Sequence, residues 1–179
     1  MEECNERQIR QLLSESNTQR KGFELLVKNY SEQLYWTIRR FVLMHDDAND
    51  VLQNTFLKAW NGLDSFHGDA KISTWLSRIA INESLDFLRR RKQQTMSIDE
   101  SFVGTLMADD YFDGSEAEAL LQEAIALLPD VQRTVFLMRY FEGKKYSEIS
   151  RILNTSEGAL KASYHIAVKK ITDFLKSHD

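Results

Sequence analysis

Residues 63–92, LDSFHGDAKISTWLSRIAINESLDFLRRRK, join an aromatic-bearing loop to a segment that ends in four consecutive cations. Apolar residues recur in this segment at helical spacing, which predicts a helix with Ser73 as its N-cap. The side chains that share its apolar face, and that we expect in a core, are Ile72, Leu76, Ile79, Ala80 and Phe87.

The opposite face of this predicted helix collects several cations, one amide and one indole ring. Its members, three or four residues apart, are Lys71, Trp75, Arg78, Asn82 and Arg89. Cations on such a face bind phosphates, and an aromatic ring stacks on a base. Extruding a base costs a few kcal/mol, and stacking it returns roughly 1 to 3 kcal/mol. The loop with Phe66 and His67 is therefore a candidate receptor for an extruded base.

A structural role for the same residues stays open. Trp75 can belong to the core, Phe66 can close the loop, and the Arg run can be a solvated helix end that the helix dipole favours. The residues of this stretch do not by themselves decide between the two interpretations.

The composition predicts an all-α protein of two small helical domains. A chain of 179 residues has room for one or two cores, and 7 Gly with a single Pro favour helices over a turn-rich β architecture. The lone Cys4 excludes an intrachain disulfide, and the chain shows neither a signal peptide nor an apolar run long enough to span a membrane. We therefore expect a cytoplasmic location.

Enzymatic function is not indicated. His45, His67, His165 and His178 are scattered along the chain, and no metal-ligand spacing or nucleotide-binding glycine motif accompanies them. The sequence predicts no catalytic residues, no metal and no cofactor.

Charge divides the chain into three parts. Residues 93–118 hold seven of the 27 acids and none of the 23 Lys and Arg residues, although the net charge of the whole chain is only -4. We predict domains over residues 1–92 and 116–179, joined by a flexible acidic linker over residues 93–115. A docked linker could shield the basic helix face from DNA; a plain tether is the simpler alternative.

Two further helices are predicted in the N-terminal domain, after a polar stretch at residues 1–20 that should be at most weakly helical. An apolar stripe runs from Phe23 to about Leu43, and a second helix starts at Asp46 and Asp47. The second helix places Leu57 and Trp60 among polar groups, which is typical of a protein-binding surface. The alternative is that Trp60 folds into the core. The polar members of this face are Asp47, Asp50, Gln53 and Asn54.

The C-terminal domain contains a helix-turn-helix pattern. A helix over Tyr146 to Leu153 is followed by a short turn at Asn154 and Thr155 and by a long helix capped by Ser156. The N-terminal part of such a second helix lies in the major groove of DNA. The residues that we expect there are Ser156, Glu157, Gly158, Lys161, Ala162, Ser163, His165 and Lys169.

Taken together, three segments resemble the extracytoplasmic-function (ECF) sigma factors of bacterial RNA polymerase. They are DDANDVLQNTFLKAW (46–60), LDSFHGDAKISTWLSRIAINESLDFLRRR (63–91) and LPDVQRTVFLMRYFEGKKYSEISRILNTSEGALKASYHIAVKKI (128–171). The resemblance covers nearly the whole chain. It implies a promoter-specific initiation factor that binds core RNA polymerase and promoter DNA, has no small-molecule substrate, and is controlled by an anti-sigma factor that can be membrane-bound.

The resemblance also implies roles for the residues. The face of Asp47, Asp50, Gln53, Asn54, Leu57 and Trp60 would bind the polymerase. The minus-ten element would meet Phe66, His67, Lys71, Trp75, Arg78, Asn82, Arg89, Arg90 and Arg91. The helix after Ser156 would read the minus-thirty-five element.

The chain departs from the family pattern at several of these positions. Asn54 stands where the family usually has a carboxylate, so the polymerase contacts are expected to be weaker or rearranged. Ser163, Ile166 and Val168 stand where family members often carry Arg. The affinity for the minus-thirty-five element is therefore expected to be less electrostatic than in most relatives.

Two other functions compete with this one. A helix-turn-helix regulator with a helical sensory domain explains the C-terminal half, but it gives Leu57, Trp60, Phe66 and the Arg run no task. An all-α adaptor that binds only proteins predicts no DNA contact.

Overall fold

The computed structural model describes residues 2–94 and 102–178, and within them every regular element is helical. The all-α prediction is confirmed for this part of the chain. The elements are α1 (Glu2–Ser14), α2 (Gln19–Val42), α3 (His45–Asn61), a 3-10 turn (Leu63–Ser65), α4 (Ile72–Gln94), α5 (Phe102–Met107), α6 (Glu116–Ala126), α7 (Asp130–Tyr140), α8 (Tyr146–Leu153) and α9 (Glu157–Lys176).

Helices α1 to α4 pack around one apolar core, in which the predicted stripes face each other. The side chains of Leu26 and Ile38 in α2, Val51 in α3, and Ile72 and Leu76 in α4 are buried. Each helix hides one face in this core, so the other faces of α3 and α4 point away from it.

The prediction for residues 1–20 is wrong, because helix α1 is part of this core. Ile9 is only 1% exposed, and the Arg10 guanidinium donates to the carbonyl oxygens of Gly68 (2.8 Å) and Ala70 (2.6 Å). Few apolar residues are needed for α1 to dock, because long-range hydrogen bonds hold it against the loop before α4.

The predicted N-cap of α4 is also wrong. The helix begins at Ile72, one residue before Ser73, and the Ile72 amide donates to the carboxylate of Glu6 in α1 at 3.0 Å. Burial alone would raise the pKa of Glu6, but this hydrogen bond and the Arg10 guanidinium outweigh it and lower the pKa. A carboxylate from a distant segment thus caps the helix that carries the candidate DNA surface.

Helices α6 to α9 form the second bundle. Helix α6 opens with a capping box, in which Ser115 and Glu118 bond to each other's backbone amides. The Arg133 guanidinium bonds to the last carbonyls of α6, those of Ile125 (3.3 Å) and Ala126, and to the Leu128 carbonyl just after it (3.1 Å). Burial lowers the pKa of Arg133. These contacts fix the N-terminal end of the bundle.

The helix-turn-helix is present as predicted. Asn154 ends α8 in the left-handed conformation (φ 50°), and Ser156 caps α9 by accepting from the Ala159 amide at 3.3 Å. Leu160, Ala167 and Ile171 bury the inner face of α9 against its neighbours. The outer face of α9 is left toward solvent.

The linker is more structured than predicted. Helix α4 continues to Gln94, and the short helix α5 lies inside the predicted tether. Asp109 pairs with Arg39 of α2 at 3.1 Å, and the Tyr111 ring stacks on His45 at a centroid distance of 3.9 Å. The linker acids Asp99 and Glu100 lie outside the described residues.

None of the helices in residues 2–94 and 102–178 combines the length and the apolar character needed to cross a bilayer.

Candidate polymerase and nucleic-acid interfaces

Two large apolar side chains of α3 project from the protein. Leu57 is 56% exposed and Trp60 is 41% exposed, while Ala48, Val51, Thr55 and Ala59 on the other side of the helix are buried. Trp60 keeps one edge contact with the Phe23 ring, with centroids 5.0 Å apart. Trp60 therefore does not fold into the core, and its exposed part is anchored from behind by Phe23.

The polar residues around this apolar pair do not all share one environment. Asp50, Gln53 and Asn54 are exposed. Asp47 is half-buried and forms an ion pair with Arg91 at the basic end of α4. Burial raises the pKa of Asp47, with Arg91 opposing the shift. Two residues that we assigned to different partners are thus neighbours across α3 and α4.

The loop between α3 and α4 forms a compact aromatic site. The Phe66 ring stacks on Trp75 with centroids 4.6 Å apart and planes inclined by 28°. The Arg10 guanidinium lies 5.4 Å from the Phe66 centroid, and Gly68 takes the left-handed conformation (φ 78°). Trp75 and Phe66 are both half-buried, so each ring packs and still reaches the surface.

A cavity of about 260 Å³ opens beside the Phe66 ring. The two loop residues Phe66 and His67 form part of its wall, and α1 supplies another part. The lining residues are Arg10, Leu13, Ser14, Leu63, Phe66, His67 and Gly68. The helix that the sequence predicted to be weak is therefore a wall of the candidate base receptor.

The outward residues of α4 are exposed at Lys71, Arg78 and Asn82 and along the terminal Arg run. Asn82 and Trp75 line a second, open cavity of about 460 Å³. The predicted clustering of cations, amide and ring on one side of α4 is thus seen in the structure; their role toward DNA remains a prediction.

Two of the α4 cations are engaged by the second bundle. The Arg78 guanidinium donates to the carbonyl oxygens of Arg151 and Ile152 (2.9 Å for Ile152) at the C-terminal end of α8. Arg89 pairs with Asp130 of α7 at 2.6 Å and with Asp86 at 2.9 Å, and these carboxylates raise its pKa. The bundles are thus in a closed arrangement that occupies part of the candidate minus-ten surface.

Glu142, which follows α7, completes the contact between the bundles. Its carboxylate accepts from the Thr37 hydroxyl at 2.8 Å and lies 3.7 Å from Arg40, both on α2. Lys144 pairs with the same carboxylate at 2.8 Å. The Glu142 side chain is only 8% exposed, so its charge is compensated by these cations.

The outer residues of α9 form a surface that is separate from this contact. Glu157, Gly158, Lys161, Ala162, His165 and Lys169 are exposed, and Ser163 is half-buried. The Lys161 ammonium lies 5.7 Å from the centroid of the Tyr146 ring. Ser156 has a different task from the others, because its hydroxyl caps the helix.

Sequence reasoning missed Glu6, Arg10 and Glu142. Each acts through a partner far along the chain: Ile72 for Glu6, Gly68 and Ala70 for Arg10, and Thr37 and Arg40 for Glu142. No local pattern signals such contacts. The only available hint was that Glu6 and Arg10 are spaced as an i, i+4 pair.

Comparison with known proteins supports both halves of the chain. Residues 26–94 match the family described as Sigma-70 region 2, and residues 118–171 match Sigma-70, region 4. The RNA polymerase sigma-H factor of Pseudomonas aeruginosa is 31% identical over 159 residues, which cover 80% of either chain. The ECF RNA polymerase sigma factor SigW of Bacillus subtilis is 30% identical over 157 residues, covering 80% of this chain and 83% of SigW. The chain belongs to the ECF sigma factors.

Solved structures show that other proteins share this fold. CnrH in complex with the cytosolic domain of CnrY aligns over 98% of this chain and 99% of CnrH, with a TM-score of 0.69 and 23% identity. The sigma factor RpoE in complex with the anti-sigma factor NepR from Bartonella quintana aligns over 87% of this chain and 98% of RpoE, with a TM-score of 0.65 and 24% identity. This ECF sigma factor is a promoter-directing subunit of RNA polymerase and not an enzyme.

Proposed function

We propose that this ECF sigma factor divides initiation among three surfaces. Helix α3 binds core polymerase, the loop before α4 and the outer face of α4 capture and melt the minus-ten element, and α9 reads the minus-thirty-five element. The corresponding modules are residues 1–92 and 116–179, joined by residues 93–115. As a partner of RNA polymerase, the protein acts in the cytoplasm.

The exposure of Leu57 and Trp60 carries the proposal. Single exposed apolar side chains are common on monomers, but Leu57 and Trp60 lie three residues apart on one helix face and form a patch on a helix whose other face is buried. Apolar anchors ringed by exposed polar groups are the centre of protein interfaces. Neither a DNA-binding regulator nor a sensory domain needs this pair.

The aromatic loop supports the melting step. An extruded base gains stacking energy at Phe66 or Trp75 of roughly 1 to 3 kcal/mol, which offsets most of the cost of unstacking it. The cavity of about 260 Å³ beside Phe66 has room for the base, and the exposed Lys71 next to the loop can bind an adjoining phosphate. The Arg run at the other end of α4 would bind phosphates farther along the strand.

The closed arrangement must open before the minus-ten surface is complete. Arg78 and Arg89 cannot bind phosphates while they bond to α8 and Asp130. Core polymerase supplies the free energy for opening if its surface holds the two modules apart. An anti-sigma factor would instead keep the modules in a polymerase-incompetent arrangement, and the complex of RpoE with NepR shows that a protein of this fold accepts such a partner.

Run-off transcription with purified core polymerase tests the proposal. Core enzyme alone should give no specific product, and the addition of this chain should give transcripts from its own promoters. The Trp60→Ala variant should lose core binding by more than tenfold. Trp36→Ala, in which another tryptophan with 51% exposure is removed from α2, serves as the matched control. The proposal would be overturned if core polymerase neither bound the wild-type chain nor gave specific transcripts in its presence.

A further inference from the structure

Ile166 is an apolar side chain on the DNA-facing side of α9. It is 43% exposed, and it lies four residues after Ala162 and eight after Gly158, so the three share one helix face. Leu160, Ala167 and Ile171 occupy the buried face. Ile166 lies outside this buried face and keeps a large part of its apolar side chain in contact with water.

The face around Ile166 is shaped for close contact with a groove. An α-helix with its side chains is roughly 10 to 12 Å across, which fits the major groove of about 12 Å width. Gly158 and Ala162 have small side chains, so another molecule can come close to the backbone there. Lys161, His165 and Lys169 are also exposed on the outer side of α9. Cations can reach phosphates from there while the apolar side chain faces the base edges.

Neither steric crowding nor backbone conformation requires a glycine at position 158 in the free protein. A Cβ at this position would meet nothing within 4 Å, and its φ is not in the left-handed region. Glycine inside a helix is less favourable than alanine. A residue that costs helix stability without relieving a clash indicates a close approach by something outside the chain.

The major groove offers one apolar group to such a face. It is the C5-methyl group of thymine, which alanine and other apolar side chains contact. Guanine and cytosine present only hydrogen-bonding edges there, and burying an isoleucine against unpaired donors or acceptors is unfavourable.

We propose that Ile166, with Ala162 beside it, reads thymine methyl groups in the minus-thirty-five element, and that Gly158 permits the approach. The proposal rests on the assignment of α9 to that element. It gives the helix a specificity that depends on shape and apolar contact, with Lys161 and Lys169 supplying attraction to phosphates.

Replacement of thymine by deoxyuridine tests this directly, because uracil lacks only the methyl group. Duplexes bound by the full-length chain are first enriched from a random pool, and each thymine is then replaced in turn. Loss of one contacted methyl group should weaken binding about fourfold. In Ile166→Ala the same replacement should have no effect at that position.

Val131 provides the matched control. It is apolar and 55% exposed, but it lies on α7 and not on α9. Val131→Ala should keep the full sensitivity to deoxyuridine. Gly158→Ala should fold normally, since its methyl group has open space in the free protein, and should bind every enriched duplex more weakly.

The outcomes separate this inference from the proposed function. If no duplex is enriched, the assignment of α9 fails and the inference fails with it. If duplexes are enriched but deoxyuridine changes nothing, or if Ile166→Ala and Val131→Ala respond alike, α9 still reads DNA and the role of Ile166 is overturned. Unchanged or tighter binding by Gly158→Ala would overturn the close approach.

Discussion

The two candidate DNA surfaces differ in what they contact in the free protein. On α4, Arg78 and Arg89 bond to acceptors in the second bundle, whereas the outer residues of α9 face solvent. The minus-ten surface must exchange intramolecular partners for DNA, and the minus-thirty-five surface need not. We infer that α9 can bind duplex DNA before the two bundles separate, whereas α4 can bind the melted strand only after they have separated.

Among these variants, Phe66→Ala should show the largest difference between its effect on promoter opening and its effect on closed-complex binding. The variant loses the ring that can stack on an extruded base, so promoter opening should fall by tenfold or more. Closed-complex binding should change little, because α9 is untouched. Permanganate reactivity of unpaired thymines measures opening, and a gel shift at low temperature measures closed binding.

Lys169→Ala is the counterpart for Phe66→Ala. Because the variant removes one cation from α9, closed-complex binding should become weaker and less dependent on salt. The opening of promoters that are already bound should not change. Equal losses of binding and opening in both variants would show that the two surfaces do not act separately.

Arg10→Ala should damage the minus-ten surface from a distance. The guanidinium makes charged hydrogen bonds to Glu6, Gly68 and Ala70. The Arg10 side chain is 32% exposed, so water reduces the net contribution of these bonds to stability. We expect a loss of about 2 kcal/mol in denaturant unfolding and slower promoter opening, with α9 binding retained.

The control for Arg10→Ala is Arg20→Ala, because Arg20 forms only an exposed pair with Glu24. That change should alter stability by less than about 0.5 kcal/mol. A loss of duplex binding by Arg10→Ala would contradict the separation of the two surfaces.

Glu142→Gln should loosen the closed arrangement. The amide can still accept from Thr37, but Arg40 and Lys144 lose the charge that compensates them. We expect binding of a single-stranded minus-ten oligonucleotide to tighten about threefold, the equivalent of roughly 0.7 kcal/mol. Glu116→Gln removes the same charge from an exposed site on α6 and should not change this affinity.

Acid should release α1 from the loop in a small and graded way. The pKa of Glu6 is lowered in the folded protein, so the carboxylate stabilises the fold at pH values above its unfolded pKa. This contribution is lost as the pH falls through the lowered, folded pKa. The protection factor of the Ile72 amide against hydrogen exchange should fall there in the wild type, and Glu6→Gln should remove this change in protection.

The sequence predicted well wherever periodicity carried the information. The stripes of α2, α3, α4 and α9 place their apolar faces in the core, and the turn at Asn154 makes the helix-turn-helix visible in advance. Helix α1 was not predicted, because it is held by the buried Ile9 and by long-range hydrogen bonds from Arg10 and not by an apolar stripe.

The candidate sites were predictable as faces but not as contacts. The cations of α4 fall on one side of a helix by spacing alone, which the sequence shows. That Arg78 caps α8 and that Arg89 meets Asp130 depends on partners 74 and 41 residues away. Such pairings follow from the packing of the two bundles, which no local pattern encodes.

Energy transfer between dyes on Lys92→Cys and Lys145→Cys, with Cys4 replaced by Ser, tests the central claim most directly. The account predicts efficient transfer in the free protein, no change when a minus-thirty-five duplex is added alone, and a clear fall when core polymerase binds. Transfer that stays the same in the polymerase complex, or that falls with the duplex alone, would contradict it.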